Sequence, residues 1–109
     1  MVKFMQKIKI DKFGNKEYYW NGELHREDGP AVECANGDKE WYFNDRYHRE
    51  DGPAVEFISG YKSWWFHGQR HREDGPAVEY ANGHKEWWIR HIQYSEENYW
   101  RVVKLKVLW

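Results

Sequence analysis

Four short aromatic runs, at residues 16–20, 39–43, 62–66 and 85–89, are spaced evenly along the chain and bounded by turn dipeptides. Asn21-Gly22, Asn44-Asp45 and His67-Gly68 follow the first three runs, and Asn36-Gly37, Ser59-Gly60 and Asn82-Gly83 precede the last three. Asn, Asp and Gly tolerate the positive φ of tight hairpin connections. Runs of five rich in Trp, Tyr and Phe between such turns predict β-strands, and the turns arrive before a helix could complete three turns. A second strand in each unit is predicted at residues 31–35, 54–58 and 77–81. The pattern is a mainly β, single-layer antiparallel meander with two strands per unit.

The unit is a repeat. The word His-Arg-Glu-Asp-Gly-Pro-Ala-Val-Glu occurs unchanged from His25, His48 and His71, a fixed 23 residues apart. Units of this size bury apolar surface by stacking on their neighbours. Residues 1–109 therefore read as one repeat domain: a cap and half repeat at 1–18, full repeats at 19–41, 42–64 and 65–87, and a half repeat with a cap at 88–109. Gly29, Gly52 and Gly75 each precede a proline, which predicts a turn or sharp bend. Asp28, Asp51 and Asp74 are placed to accept a local backbone N–H there.

The ends read as caps. Val2, Phe4, Ile8 and Ile10 alternate with lysines, as in an edge strand guarding the first repeat. Ser95 can N-cap a short C-terminal helix, with Glu96 and Glu97 near its positive end and Glu97 four residues before Arg101. Tyr99, Val102, Val103 and Val107 would then face the sheet. Alternation of Val103, Leu105, Val107 and Trp109 also permits a final strand.

Composition narrows the functional classes. With 109 residues, 40% of them apolar, and a formal charge of −1, the chain offers a thin core and no global basic field, so nucleic acid is not an expected partner. The single cysteine, Cys34, excludes an internal disulfide framework and suits a reducing compartment. No signal-peptide or membrane-spanning stretch is legible, which predicts a cytoplasmic protein without membrane insertion.

Alternation divides the side chains between two faces. Tyr18, Trp20, Trp41, Phe43, Trp64, Phe66, Trp87 and Ile89 line one; Tyr19, Tyr42, Trp65 and Trp88 line the other, beside Glu17, Glu40, Ser63 and Glu86. A single-layer sheet needs one apolar face, so the second is either covered by twist, end segments and Lys or Arg stems, or used for binding or a homodimer. Tyr19, Tyr42, Trp65 and Trp88 are accordingly candidate binding residues, with the loop rows His25, His48, His71 and Arg26, Arg49, Arg72. Equivalent residues of successive repeats stand roughly 9–10 Å apart, too far to share a metal ion, so no metal or cofactor is expected. The charges instead suggest an alternating Arg26, Glu50, Arg49, Glu73, Arg72 network across repeats. Catalysis needs one asymmetric constellation, whereas this chain triplicates a motif, has no threonine, and gives its histidines no evident nucleophile.

The pattern Trp-Tyr-x-Asn-x-x-x-His-Arg-x-Asp-Gly-Pro-Ala, with a following Asn-Gly turn and Lys-x-Trp, resembles the MORN-type repeats, also 23 residues long; the H-R-x-D-G-P-A variant is seen in bacteria, phages and large DNA viruses. The resemblance spans residues 9–88 and implies a curved sheet of stacked hairpins used as scaffold or interaction surface. Where the common unit places Gly directly after the His, this chain inserts Arg-Glu-Asp. Two functions follow as expectations. One is a protein-interaction module, which in a phage or bacterial setting would inhibit a host defence or toxin component in the host cytoplasm. The other is a protein that sequesters a small ligand or nucleotide by aromatic stacking with Arg and His contacts.

Overall fold

The computed structural model describes residues 5–105. Fourteen strands and one helix occur among them. In chain order the strands are β1 (Gln6–Ile10), β2 (Lys16–Trp20), β3 (Glu23–Leu24), β4 (Val32–Glu33), β5 (Lys39–Glu40), β6 (Tyr42–Phe43) and β7 (Arg46–Tyr47), then β8 (Val55–Glu56), β9 (Lys62–Ser63), β10 (Trp65–Phe66), β11 (Gln69–Arg70), β12 (Val78–Glu79), β13 (Lys85–Ile89) and β14 (Ile92–Tyr94), and the helix is α1 (Glu96–Lys104). The main sheet is an antiparallel meander in the order β1-β2-β4-β5-β8-β9-β12-β13-β14, and the pairs β6-β7 and β10-β11 form small hairpins beside it. The molecule is a slab, 47 × 39 × 17 Å. No helix among the described residues is long and apolar enough to cross a membrane.

The two inner aromatic runs are not the unbroken strands that alternation alone predicts. Each splits at its central tryptophan. Trp41 donates its N–H to Ala54 O in the main sheet (2.7 Å), while its own carbonyl accepts from His48 N (3.1 Å) in the hairpin, and Trp64 repeats this with Ala77 and His71. The tryptophan is thus where the chain exchanges one pairing partner for another. β2 stays continuous because β1 pairs with it along its whole length, Gln6 opposite Trp20 through Ile10 opposite Lys16.

Each hairpin turns through two residues of positive φ, Asn44 at 48° and Asp45 at 64° in the second unit, as a two-residue turn matched to strand twist requires. Arg90 and His91 form a fourth such turn at 47° and 68° without Asn or Gly, which no turn dipeptide announced. Neighbouring units are linked by main-chain bonds: Arg49 N to Trp65 O (3.1 Å) and Gly68 N to Tyr47 O (2.9 Å) recur one repeat earlier and later.

The core is thin. Ala31, Ala54 and Ala77 are fully buried, as are Val55, Val78 and Ser63, with Ile89 and Tyr99 at the C-terminal end. Helix α1 is the expected cap: Ser95 is extended and accepts from Asn98 N, and Arg101 meets Glu97 at 2.8 Å. Tyr99 packs on Trp87 at 5.1 Å between ring centres, accepts from Gly75 N (3.2 Å) and donates to Arg72 O. Val102 and Val103 are half-buried; Val107, like Val2 and Phe4 at the other end, lies outside the described residues.

Candidate functional site

Nearly every residue of the repeated word has a structural partner inside the protein. The Arg49 guanidinium lies 3.8 Å above the Trp41 ring, donates through Nε to Asp51 (3.0 Å), and through Nη1 to Pro53 O (3.1 Å) and Glu56 (3.3 Å). Arg26 and Arg72 repeat the arrangement over Tyr18 and Trp64. A Cβ on Gly52 would come within 3.0 Å of Arg49 Cζ, so the glycine is the space that lets the guanidinium lie flat. Its use is close approach.

Two expectations are corrected here. Asp28, Asp51 and Asp74 bind the arginine two residues earlier, not a backbone N–H. The ion pairs also close within each repeat instead of alternating from Arg26 to Glu50, because the bend at Gly-Pro folds Glu33, Glu56 and Glu79 back onto their own arginines.

The histidines join successive repeats. His25 Nδ1 accepts from Asn44 N (3.1 Å), His48 Nδ1 from His67 N (2.9 Å), and His71 Nδ1 from Arg90 N (3.0 Å). Each acceptor bond requires the proton on Nε2, which points toward Glu27, Glu50 or Glu73 at 3.6, 3.7 and 2.9 Å. His48 also stacks on His67 at 4.0 Å, and burial together with that neighbour holds its pKa below the ordinary value.

The clefts between successive loops measure about 640 and 690 Å³. Arg26 and Arg49 line the first, yet both guanidinium groups are already engaged, and Asp28 and Asp51 on its rim are 86 and 87% exposed. Carboxylates at the rim repel a phosphate. Among the described residues no group of three or more His, Cys, Asp or Glu is placed to hold a metal ion. The Cys34 thiol is half-buried, and burial pushes its pKa up.

The opposite face carries the aromatic row. Residues in register share a face, so Glu40, Val55 and Ser63 lie together, and the rings of the row fold over them. The Tyr42 hydroxyl donates to Glu40 (2.8 Å), Trp65 Nε1 to Ser63 Oγ (2.8 Å), and Trp88 Nε1 to Glu86 (3.0 Å). Burial and these neighbours drive the Tyr42 pKa strongly upward. Tyr47 stacks on Tyr42 at 4.7 Å and meets Trp65 at 5.2 Å, and Arg70 stands 5.0 Å from both Trp65 and Trp88. At the N-terminal end Lys9 lies 5.1 Å from the Tyr19 ring.

The two groups of candidate residues meet only at the loop clefts, where Tyr19 lines one with His25 and Arg26 and Tyr42 lines another with Arg26, His48 and Arg49. Tyr19, Tyr42, Trp65 and Trp88 form a row on one face; the Arg and His rows serve the loops and the other face. Tyr47, Arg70 and His91 belong to the aromatic row and escaped the strand-pattern reading. The available signal was the break in the repeat: the position of Arg70 holds Leu24, Tyr47 and Gln93 in the other units. Compared with protein-family models, curated proteins and solved structures, the chain matches none.

Proposed function

We propose that the protein is a non-catalytic interaction module that docks a partner protein on the face formed by Tyr19, Tyr42, Tyr47, Trp65 and Trp88. One observation carries the reading: in a slab only 17 Å thick the half-buried rings of Tyr42, Tyr47 and Trp65 are in contact, His91 links Trp65 to Trp88, and among the described residues no helix packs over the row, α1 lying against Trp87 on the other side. Large aromatic side chains in an uncovered patch supply most of the energy of protein docking. The non-catalytic part rests on the histidines and arginines of the repeated word, whose ring nitrogens and guanidinium groups are engaged in holding the array together. Membership of the MORN-type repeats, and a role as inhibitor of a host defence or toxin component, are part of the same proposal.

A small-ligand reading is favoured less, because the arginines it needs already face carboxylates. The test is partner capture by immobilised protein compared with a Trp65→Ala/Trp88→Ala variant. Loss of the captured polypeptide with an unchanged circular-dichroism melt supports the face; capture that survives in a folded double variant refutes it.

A further inference from the structure

Among the described residues, Nε of Arg70 is the only buried side-chain nitrogen or oxygen without a hydrogen-bond partner. Its surroundings differ from those of the other stacked arginines. Arg26, Arg49 and Arg72 each lie on one ring and each meet an Asp and a Glu. Arg70 instead has two indoles near it, Trp65 and Trp88, each 5.0 Å away, and none of the described carboxylates forms an ion pair with it. Glu86, an acid of the same face, accepts instead from Trp88 Nε1 and from the Tyr80 hydroxyl.

The fold does not require a cation there. Equivalent positions hold Leu24, Tyr47 and Gln93, and the main-chain bond from Gly68 N to Tyr47 O is matched by His91 N to Arg70 O whatever the side chain. His91 fixes the backbone of Arg70 from the other side, its Nδ1 accepting from Arg70 N at 3.2 Å. With Nε buried, a planar, weakly hydrated guanidinium beside two indoles has its terminal N–H groups left to meet an oxyanion. The residue is half-buried, so part of it remains at the surface.

We infer that Arg70 is an oxyanion anchor on the docking face, taking a carboxylate from an acidic segment of the partner protein while Trp65, Trp88 and Tyr47 receive the neighbouring apolar side chains. The inference rests on the docking reading above and adds the chemistry of the partner. The occupant follows from Arg70 itself: among the described residues no carboxylate pairs with its guanidinium, whereas Glu40 and Glu86 of the same face are bonded to tyrosine and indole donors.

The test titrates hexaglutamate and, separately, inorganic phosphate into the full chain, followed by the Nε–Hε NMR resonance of Arg70. The expected result is saturable peptide binding that shifts this resonance, falls about tenfold or more in Arg70→Gln and recovers partly in Arg70→Lys. Gln is the residue found at the equivalent position 93, so the variant keeps the fold. Peptide binding that is equal in Arg70→Gln places the peptide elsewhere, such as on the amino-terminal lysines, and overturns the anchor. Binding of phosphate without peptide overturns the peptide occupant, and binding of neither overturns the site. If a captured partner is lost from Trp65→Ala/Trp88→Ala but kept by Arg70→Gln, the docking face stands and the anchor falls.

Discussion

At Gly52 a Cβ would stand 3.0 Å from Arg49 Cζ, so an added methyl group requires the guanidinium, held by Asp51, Pro53 O and Glu56, to give way. Gly52→Ala is expected to lift the guanidinium off Trp41 and to destabilise by about 1–3 kcal/mol, seen as a lower urea midpoint. The same loss at Gly29 and Gly75 would show that the clamp is repeated. His48 gives a pH prediction. Its pKa lies below the ordinary 6.5, so above that value both folded and unfolded chains carry the neutral ring and the stabilisation is complete. As the pH falls the unfolded chain takes up the proton first, and the stabilisation is lost through the folded-state pKa. The melting temperature should therefore fall as the pH drops below the ordinary histidine value, and less steeply in His48→Asn. Asp51 shows why residue roles were only partly legible: its type and place announced a local acceptor role, yet which donor it meets depends on where the Arg49 side chain is pushed by Trp41 and Gly52.

Helix α1 was legible as an element because its N-cap, its acidic first turn and its i to i+4 pair are local features, and all three are present. What it caps was not legible. In the first three units an arginine lies over the ring at positions 18, 41 and 64, but Ser95 stands where a fourth would be, and Tyr99 and Trp100 of the helix pack on Trp87 instead. Tyr99→Phe should remove the bridge between Arg72 O and Gly75 N, leave a buried N–H without its acceptor, and cost about 1–3 kcal/mol by denaturant unfolding. Ser95→Ala should cost about 1 kcal/mol through the lost cap. If Tyr99→Phe melts like the parent protein, the hydroxyl is not holding the cap. The split of the inner strands at Trp41 and Trp64 escaped the pattern for another reason: side-chain alternation continues through the break, while the hydrogen-bond partners change across it.

As a whole the protein is a stack in which each unit contacts the next through the same bonds, so length is a variable the architecture can change. Removing residues 42–64 joins Trp41 to Trp65 in register and brings His67 N to His25 Nδ1; the shortened chain should fold, with a lower urea midpoint and a smaller m-value in keeping with the surface removed. An unfolded deletion variant would mean that the units are not interchangeable. The sequence by itself determined the period, the antiparallel meander and the turn positions marked by Asn, Asp and Gly, because each of these follows from local backbone preference repeated at fixed spacing; it left the C-terminal segment open between helix and strand. Only the tertiary structure decided what the repeated word is for. Its Arg, Asp, Gly, Pro and Glu meet one another across a bend, and its His reaches a neighbouring repeat, so their roles depend on distances through space that spacing along the chain does not encode. The same holds for Arg70, whose lack of an acidic partner becomes visible once Trp65 and Trp88 are brought within 5.0 Å of it.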